Sequence, residues 1–186
     1  MALTAVPGGI WETIAAEAGG ESPLWAAALR PPDERELVPV FSPLAEERFA
    51  LGLETIYEGY LMHYGRPRLF AADDRDTRVL LGDYLYAHGL VRVAEHREVG
   101  VVADLAELIS LCAQVRAEAR DGAADEDGAL WAATLTRLGS GDGDLSDARA
   151  ALRDHGDPAP LAALARESAD AGAVDAAMSL HRGRLG

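Results

Sequence analysis

Hydrophobic positions recur at helical spacing through the middle of this chain. Phe49, Leu53, Ile56 and Tyr60 form one i, i+4, i+7, i+11 stripe, and Glu54, Tyr57, Leu61 and Tyr64 line the stripe beside it. That spacing predicts a first core helix, which Pro67 ends. Asp73-Asp74-Arg75-Asp76-Thr77 is a polar start with acids in the first turn, and predicts a second helix from Asp76 to Val93. Its apolar face reads Leu80, Tyr84, Ala87 and Val91, with Asp83 beside it. A third helix, from Glu98 to Ala119, places Val101, Leu105, Leu108, Cys112 and Val115 on one face.

The flanks read differently. Residues 1–43 are broken by Gly8-Gly9, Gly19-Gly20, Pro23, Pro31-Pro32, Pro39 and Pro43. They hold at most two short helices, near Trp11–Ala18 and Leu24–Leu29, with Trp11 and Trp25 docking them on the core. Residues 121–186 are alanine-rich and punctuated by Gly and Asp, with short helices expected near 126–138, 145–154, 159–170 and 172–182. Residues 181–186 read as a flexible basic tail. No segment reads as a strand or hairpin, so the class is all-α. Residues 44–120 form the core of one compact domain, between an N-terminal part (1–43) and a C-terminal part (121–186).

Composition narrows the function. A net charge of −14 argues against nucleic acid or an anionic membrane as the main partner. The most apolar stretch, Val99 to Val115, is interrupted by Asp104 and Glu107, so no membrane span is expected. The single cysteine, Cys112, and an N-terminus without a basic region fit a cytoplasmic protein. All 17 basic residues are arginine, so no Schiff-base lysine exists. No H-x-x-x-H or H-E-x-x-H is present and Cys112 has no companion, so neither a metal nor a cofactor is expected. The run from Ser140 to Asp147 has the look of a calcium loop but lacks the closing glutamate. It reads as a loop with Asp144 or Ser146 as a helix N-cap.

The stretch Leu53-Glu54-Thr55-Ile56-Tyr57-Glu58-Gly59-Tyr60-Leu61-Met62-His63 resembles the E-x-x-H-x-x-x-L-x-H-D-D-x-x-D helix of trans-isoprenyl diphosphate synthases. Glu54, Leu61 and His63 fall in step, and Leu81-Gly82-Asp83-Tyr84-Leu85 resembles that family's A-G-D-x-L helix. The resemblance covers residues 51–114, about a third of the chain. It implies a minimised helical bundle of isoprenoid-synthase type. In that family two acidic motifs on facing helices hold Mg²⁺, which holds an allylic diphosphate. Here the first motif reads Tyr64-Gly65-Arg66-Pro67-Arg68, with Tyr64, Gly65 and Arg68 at the acidic positions and Tyr57 at the early histidine. No second acidic motif appears: Ala124-Asp125-Glu126-Asp127-Gly128 reads as a glycine-flanked loop. The basic site upstream of the first motif is missing too, since it needs a lysine.

Several residues in this region could carry chemistry, each with a plainer role beside it. Arg66 and Arg68 could grip a phosphate or a partner's carboxylates directly, or could be a solvated helix C-terminus. Asp83 could be a site acid, or a structural acid paired inside the bundle. Glu54 could face a ligand, or bond Tyr57 or the second helix. The resemblance makes Leu81, Tyr84, Leu85 and His88 candidate walls of a cavity.

Three functions follow. The first is a non-catalytic, dimerising or regulatory subunit, pairing with itself or with a full-length prenyl synthase. The second is a binding protein for an isoprenoid or other apolar ligand, walled by Tyr57, Tyr60, Tyr84 and Tyr86. The third is a metal-independent enzyme on a prenyl diphosphate, built from Asp83, Glu54, His63, Arg66 and Arg68. The expectation is the first, a non-enzymatic role. Its candidate ligand-binding set is Glu54, Tyr57, Leu61, His63, Tyr64, Arg66, Arg68, Asp83, Tyr84 and His88, with no catalytic residue assigned.

Overall fold

The computed structural model describes residues 9–118, 123–138 and 145–185, and these are all-α. The described helices are α1 (Ile10–Glu21), α2 (Pro23–Ala28), α3 (Ala50–Tyr64), α4 (Arg75–Ala94), α5 (Val99–Ala117), α6 (Ala123–Thr136), α7 (Ser146–His155), α8 (Ala159–Ser168) and α9 (Ala171–Leu185). Ser22 caps α2, and the carboxylate of Asp74 caps α4 by accepting from the Thr77 N–H at 2.7 Å. Three short 3₁₀ turns, at Pro32–Glu34, Ser42–Leu44 and Glu47–Phe49, carry the proline-rich stretch from α2 to α3.

Helix α3 is buried on every side from Gly52 to Met62, the behaviour of a helix at the centre of a bundle. Its closest neighbour is α4, and glycines set the distance. A Cβ on Gly89 would lie 2.5 Å from Ile56 and 2.8 Å from the Gly52 carbonyl; one on Gly59 would lie 2.9 Å from the Gly82 carbonyl. Two glycines on each helix therefore bring the backbones together.

This contact corrects the expected face of α4. The buried residues are Leu81, Gly82, Leu85, Gly89 and Val93. Leu80 and Val91, expected inside, are 59% and 60% exposed. Large apolar side chains marked the wrong stripe because the closest packing is made by glycine, which carries no hydrophobic signal.

The core has two parts. The larger packs α3 against α5, α6, α8 and α9 around Phe41, Tyr57, Tyr60 and Trp131. The smaller packs α1 and α2 against Met62, Phe70, Leu81 and Leu85. An isolated antiparallel bridge between Leu29 and Phe70 ties the N-terminal part to the α3–α4 connection. The α5 face of Val101, Leu105, Leu108, Cys112 and Val115 is buried as expected.

Two further expectations fail. Asp125, Glu126 and Asp127 lie on α6 rather than in a loop, with Asp127 fully buried. Residues 181–185 belong to α9 rather than to a flexible tail. His181 and Arg184 are buried, and Arg184 pairs with Glu36 at 3.1 Å. Glycine flanks suggested a loop and terminal arginines a solvated tail; packing against α3 overrides both. Residues 140–144 of the calcium-like loop lie outside the described residues, and Ser146 opens α7 just after the N-cap, Leu145.

Candidate functional site

The candidate residues cluster around the C-terminal half of α3 and the segment that follows it, and they divide into four settings.

The first is closed. Arg68 leaves α3 behind and turns back into the bundle, where its side chain is 0% exposed. Its Nε donates to Glu58 at 2.9 Å, and its Nη1 donates to Glu54 at 2.6 Å and to the Val38 carbonyl at 3.0 Å. Its Nη2 donates to the Glu54 carbonyl at 3.3 Å. Glu58 also accepts from the Arg68 and Leu69 main-chain N–H groups, and Glu54 accepts from the Ser42 hydroxyl. Those three neutral donors offset the second carboxylate of a one-arginine, two-glutamate cluster. Burial alone would lower the Arg68 pKa, but Glu58 and Glu54 outweigh it and hold it above the ordinary value. The guanidinium lies 4.6 Å from the ring centre of Trp11 and 5.0 Å from that of Tyr57. Arg68 is thus a structural clamp with no donor facing solvent, and the reading of Arg68 as a direct anion grip is corrected. Glu54 is its partner.

The second setting is partly open. Tyr60 donates to Oδ2 of Asp127 on α6, and Arg116 at the end of α5 donates to the same oxygen from Nε. Arg116 Nη2 also donates to the Tyr60 oxygen at 2.9 Å, and the guanidinium lies over the ring of half-buried Tyr64. The Cys112 thiol sits against the same carboxylate, and burial pushes its pKa far up. Burial also raises the pKa of Asp127, against the bonds from Tyr60 and Arg116. Beside it, the Tyr57 hydroxyl is 3.0 Å from Nδ1 of His181. His181 is fully buried among Phe41, Tyr57 and Tyr60, which lowers its pKa to about 3, and its Nε2 has no partner among the described residues. Leu61 is buried in the same core.

The third setting is the outside of α4. His63 stacks on Tyr86, and its Nε2 is 3.2 Å from Asp83. Burial lowers the His63 pKa, with Asp83 opposing. Asp83 is 65% exposed, so it is a surface acid and not one inside the bundle. Tyr84 packs against Trp25 of α2 with the rings tilted 31° apart, and His88 bonds Glu17 of α1 at 2.9 Å. Leu81 and Leu85 are in the smaller core. These four residues do not wall a shared cavity, because α1 and α2 cover them. The four tyrosines do not form one wall either: Tyr57 and Tyr60 face α6 and α9, whereas Tyr84 and Tyr86 sit on α4.

The fourth setting is a hollow between the end of α3 and the start of α4, lined by Arg30, Met62, Arg66, Phe70, Asp73 and Arg78 among others, with a volume of about 250 Å³. Arg66 stands here, two residues from the buried Arg68.

Sequence reasoning missed Glu58, Asp127, Arg116 and His181 as polar centres. Glu54 and Glu58 are an i, i+4 acidic pair on an otherwise apolar helix, which is a readable sign that both are buried and paired. Nothing local in the sequence marks Arg116 or His181. Among the described residues no three of His, Cys, Asp and Glu gather as metal ligands would. Comparison with protein-family models, with curated proteins and with solved structures gives no match, so the likeness to prenyl synthases rests on the motif residues themselves.

Proposed function

We propose that the chain is a non-catalytic relative of the trans-isoprenyl diphosphate synthases, with a bundle of that type, acting as a dimerising or regulatory subunit. One observation carries this reading. Where the resemblance implies metal-holding acids stand Tyr64, Gly65 and Arg68, and the arginine is locked against Glu54 and Glu58. Between α3 and α6 the bundle is filled, with Tyr57, Tyr60 and Trp131 in mutual ring contact. The Arg116–Asp127 pair supplies an internal cation at the edge of that cluster. A scaffold kept while its ligand positions are filled with packing residues serves contact better than turnover. Exposed Leu80 and Val91 on α4, with Val99 at the start of α5, supply apolar surface for a partner.

The test is light scattering on the purified chain, alone and mixed with a full-length prenyl synthase, beside a prenyl-transfer assay with Mg²⁺. The expected result is a dimer or a stable mixed complex, disrupted by Val91→Arg, and no transfer by the chain alone. Transfer by the chain alone, abolished by Asp127→Asn, overturns the reading. So does a monomer that leaves the synthase unbound.

A further inference from the structure

Hollows in the described surface differ in what lies at their buried ends. One cleft opens between the start of α1 and the turns before α3, with a volume of about 300 Å³, at the small end of the range for ligand sites. Exposed Pro39, Pro43 and Glu47 stand at its rim, and buried Ser42, Ala50 and Glu54 at its inner end. Ile10 and Trp11 of α1 form one side. Three other hollows, at the end of α3, beside Phe49 and beside Leu135, reach only uncharged side chains among their buried residues. This cleft ends on a carboxylate, within a lining that is otherwise largely apolar and has no arginine.

The local sequence builds it. Glu47, Ala50 and Glu54 follow at i, i+3 and i+7, so they share one face of α3 and the turn before it. Alanine between the two acids leaves room that a longer side chain would fill. Glu47 stands where a helix start favours an acid in any case. Glu54 lies beyond the first turn, and its partner there is Arg68. That one guanidinium serves two glutamates. Glu58 accepts three N–H bonds, from the Arg68 Nε and from the Arg68 and Leu69 main chain. Glu54 accepts two, from the Arg68 Nη1 and the Ser42 hydroxyl. A carboxylate offers about four lone-pair positions. The cluster is closed to an anion, since no donor faces solvent, but it keeps acceptor capacity at Glu54, the acid on the cleft. The Ser42 oxygen, its proton given to Glu54, is an acceptor too. At the rim, the Glu47 carboxylate has no ion pair among the described residues. Against a cation stand Arg68, behind Glu54, and the positive end of the α3 dipole. Glu47, Glu54 and Glu58 outnumber that guanidinium, and the net charge of −14 favours cations at the surface.

Acceptors at the end of an apolar cleft fit a group that only donates. We propose that this cleft binds a small organic cation, a primary ammonium on a short apolar body. The ammonium donates to Glu54 and to the Ser42 oxygen, the body lies against Trp11 and Pro43, and Glu47 adds charge at the rim. Trp11 already carries the Arg68 guanidinium over its ring, and indole faces favour cations. This inference does not depend on the subunit role proposed above, since it concerns a different face and a different ligand.

The probe is phenethylammonium, titrated into the full chain at low ionic strength and followed by ¹H–¹⁵N NMR. Saturable shifts are expected at the Trp11 indole and the Ser42 and Ala50 amides, with the Trp25 indole unmoved. Phenethyl alcohol, of the same shape without the charge, binds about tenfold more weakly or worse, the loss of a charge-assisted bond. Hydrocinnamate, with a carboxylate in place of the ammonium, does not bind. Glu54→Gln disturbs the Arg68 cluster as well as the cleft, so the deciding variant is Glu47→Arg. Its side chain is exposed, so it folds as the parent does, and it reverses the rim charge. It weakens the amine about threefold or more and leaves the alcohol unchanged. Absence of saturable shifts in millimolar amine overturns the proposal. So does equal affinity for amine and alcohol, which would leave an apolar cleft only, or equal affinity of Glu47→Arg and the parent for the amine. Shifts that saturate elsewhere on the acidic surface while Trp11 stays unmoved overturn it too.

Discussion

Arg68 and Arg116 both meet buried carboxylates beside α3, yet the two centres behave as opposites. Around Arg68 every strong group is answered: two glutamates, two main-chain N–H groups, a serine hydroxyl and two carbonyls close the cluster. Around Arg116 the closure is incomplete. Asp127 has one oxygen shared by Tyr60 and Arg116, its other oxygen lacks a hydrogen-bond partner among the described residues, and Arg116 keeps contact with solvent. The first centre ties together segments near residues 38, 42, 54, 58 and 68, so it sets the path of the chain. The second joins α3, α5 and α6 through a carboxyl group whose protonation can change. Two arginine–acid contacts beside one helix therefore differ in kind, and burial of all partners is what separates them.

The largest expected effect attacks the closed centre. Arg68→Met strands Glu54 and Glu58 without their cation, and removing one partner of a buried ion cluster costs about 3–5 kcal/mol. Asp127→Ala should cost less, about 1–3 kcal/mol, because Arg116 can turn to water and only the Tyr60 hydroxyl is left unmatched. Urea denaturation of both variants measures the difference. If Asp127→Ala costs as much as Arg68→Met, the distinction between the two centres is lost.

A pH series sharpens the comparison. His181 has a folded pKa of about 3 against an ordinary 6.5. Its neutral form fits the fold, so stability is full above about pH 6.5. It falls as the pH drops towards 3, because the unfolded chain takes up the proton first. The slope approaches roughly 1.4 kcal/mol per pH unit within that window. Asp127 works the other way. Its folded pKa is raised above 3.8, so its contribution is present at low pH and is lost as pH rises through the folded value. In His181→Phe the acid-side loss should largely disappear, leaving the opposite Asp127 trend visible as the pH rises above the ordinary aspartate value of 3.8. An unchanged acid slope in that variant would show that other groups set it.

Legibility in the sequence followed the physics of each feature. Helices α3 and α5 were readable because large apolar residues repeat at helical spacing. The C-terminal helices were placed within a few residues from alanine runs and Gly or Asp breaks alone. The packing face of α4 was not readable, because Gly82 and Gly89 make the contact and a hydrophobic stripe does not show them. The candidate site was half legible. Glu54 and Arg68 were singled out, but their mutual pairing spans fourteen residues and needs the chain to reverse after Pro67. Arg66 and Arg68 look alike in sequence and end in opposite environments for the same reason. The Asp127 centre was hidden because glycines at its edges suggested a loop, and its partners lie on α3 and α5.

The smallest predicted effect tests the open centre from its third side. Cys112 is fully buried against Asp127, and a thiol is a weak donor. Cys112→Ser replaces it with a hydroxyl of nearly the same shape and stronger donor character. The new hydroxyl has the Asp127 carboxylate as its partner, so the desolvation cost and the added bond nearly cancel. Stability should stay within about 1 kcal/mol of the parent. The carboxyl pKa is the sensitive readout: a better donor to the ionised form draws it down, towards the ordinary aspartate value. A ¹³C carboxyl titration of Asp127 follows this directly. A titration midpoint for Asp127 equal to the parent's, or above it, would mean that the thiol side does not govern the carboxyl. The incomplete closure seen around Asp127 would then have no chemical consequence, and the two centres would differ in packing alone.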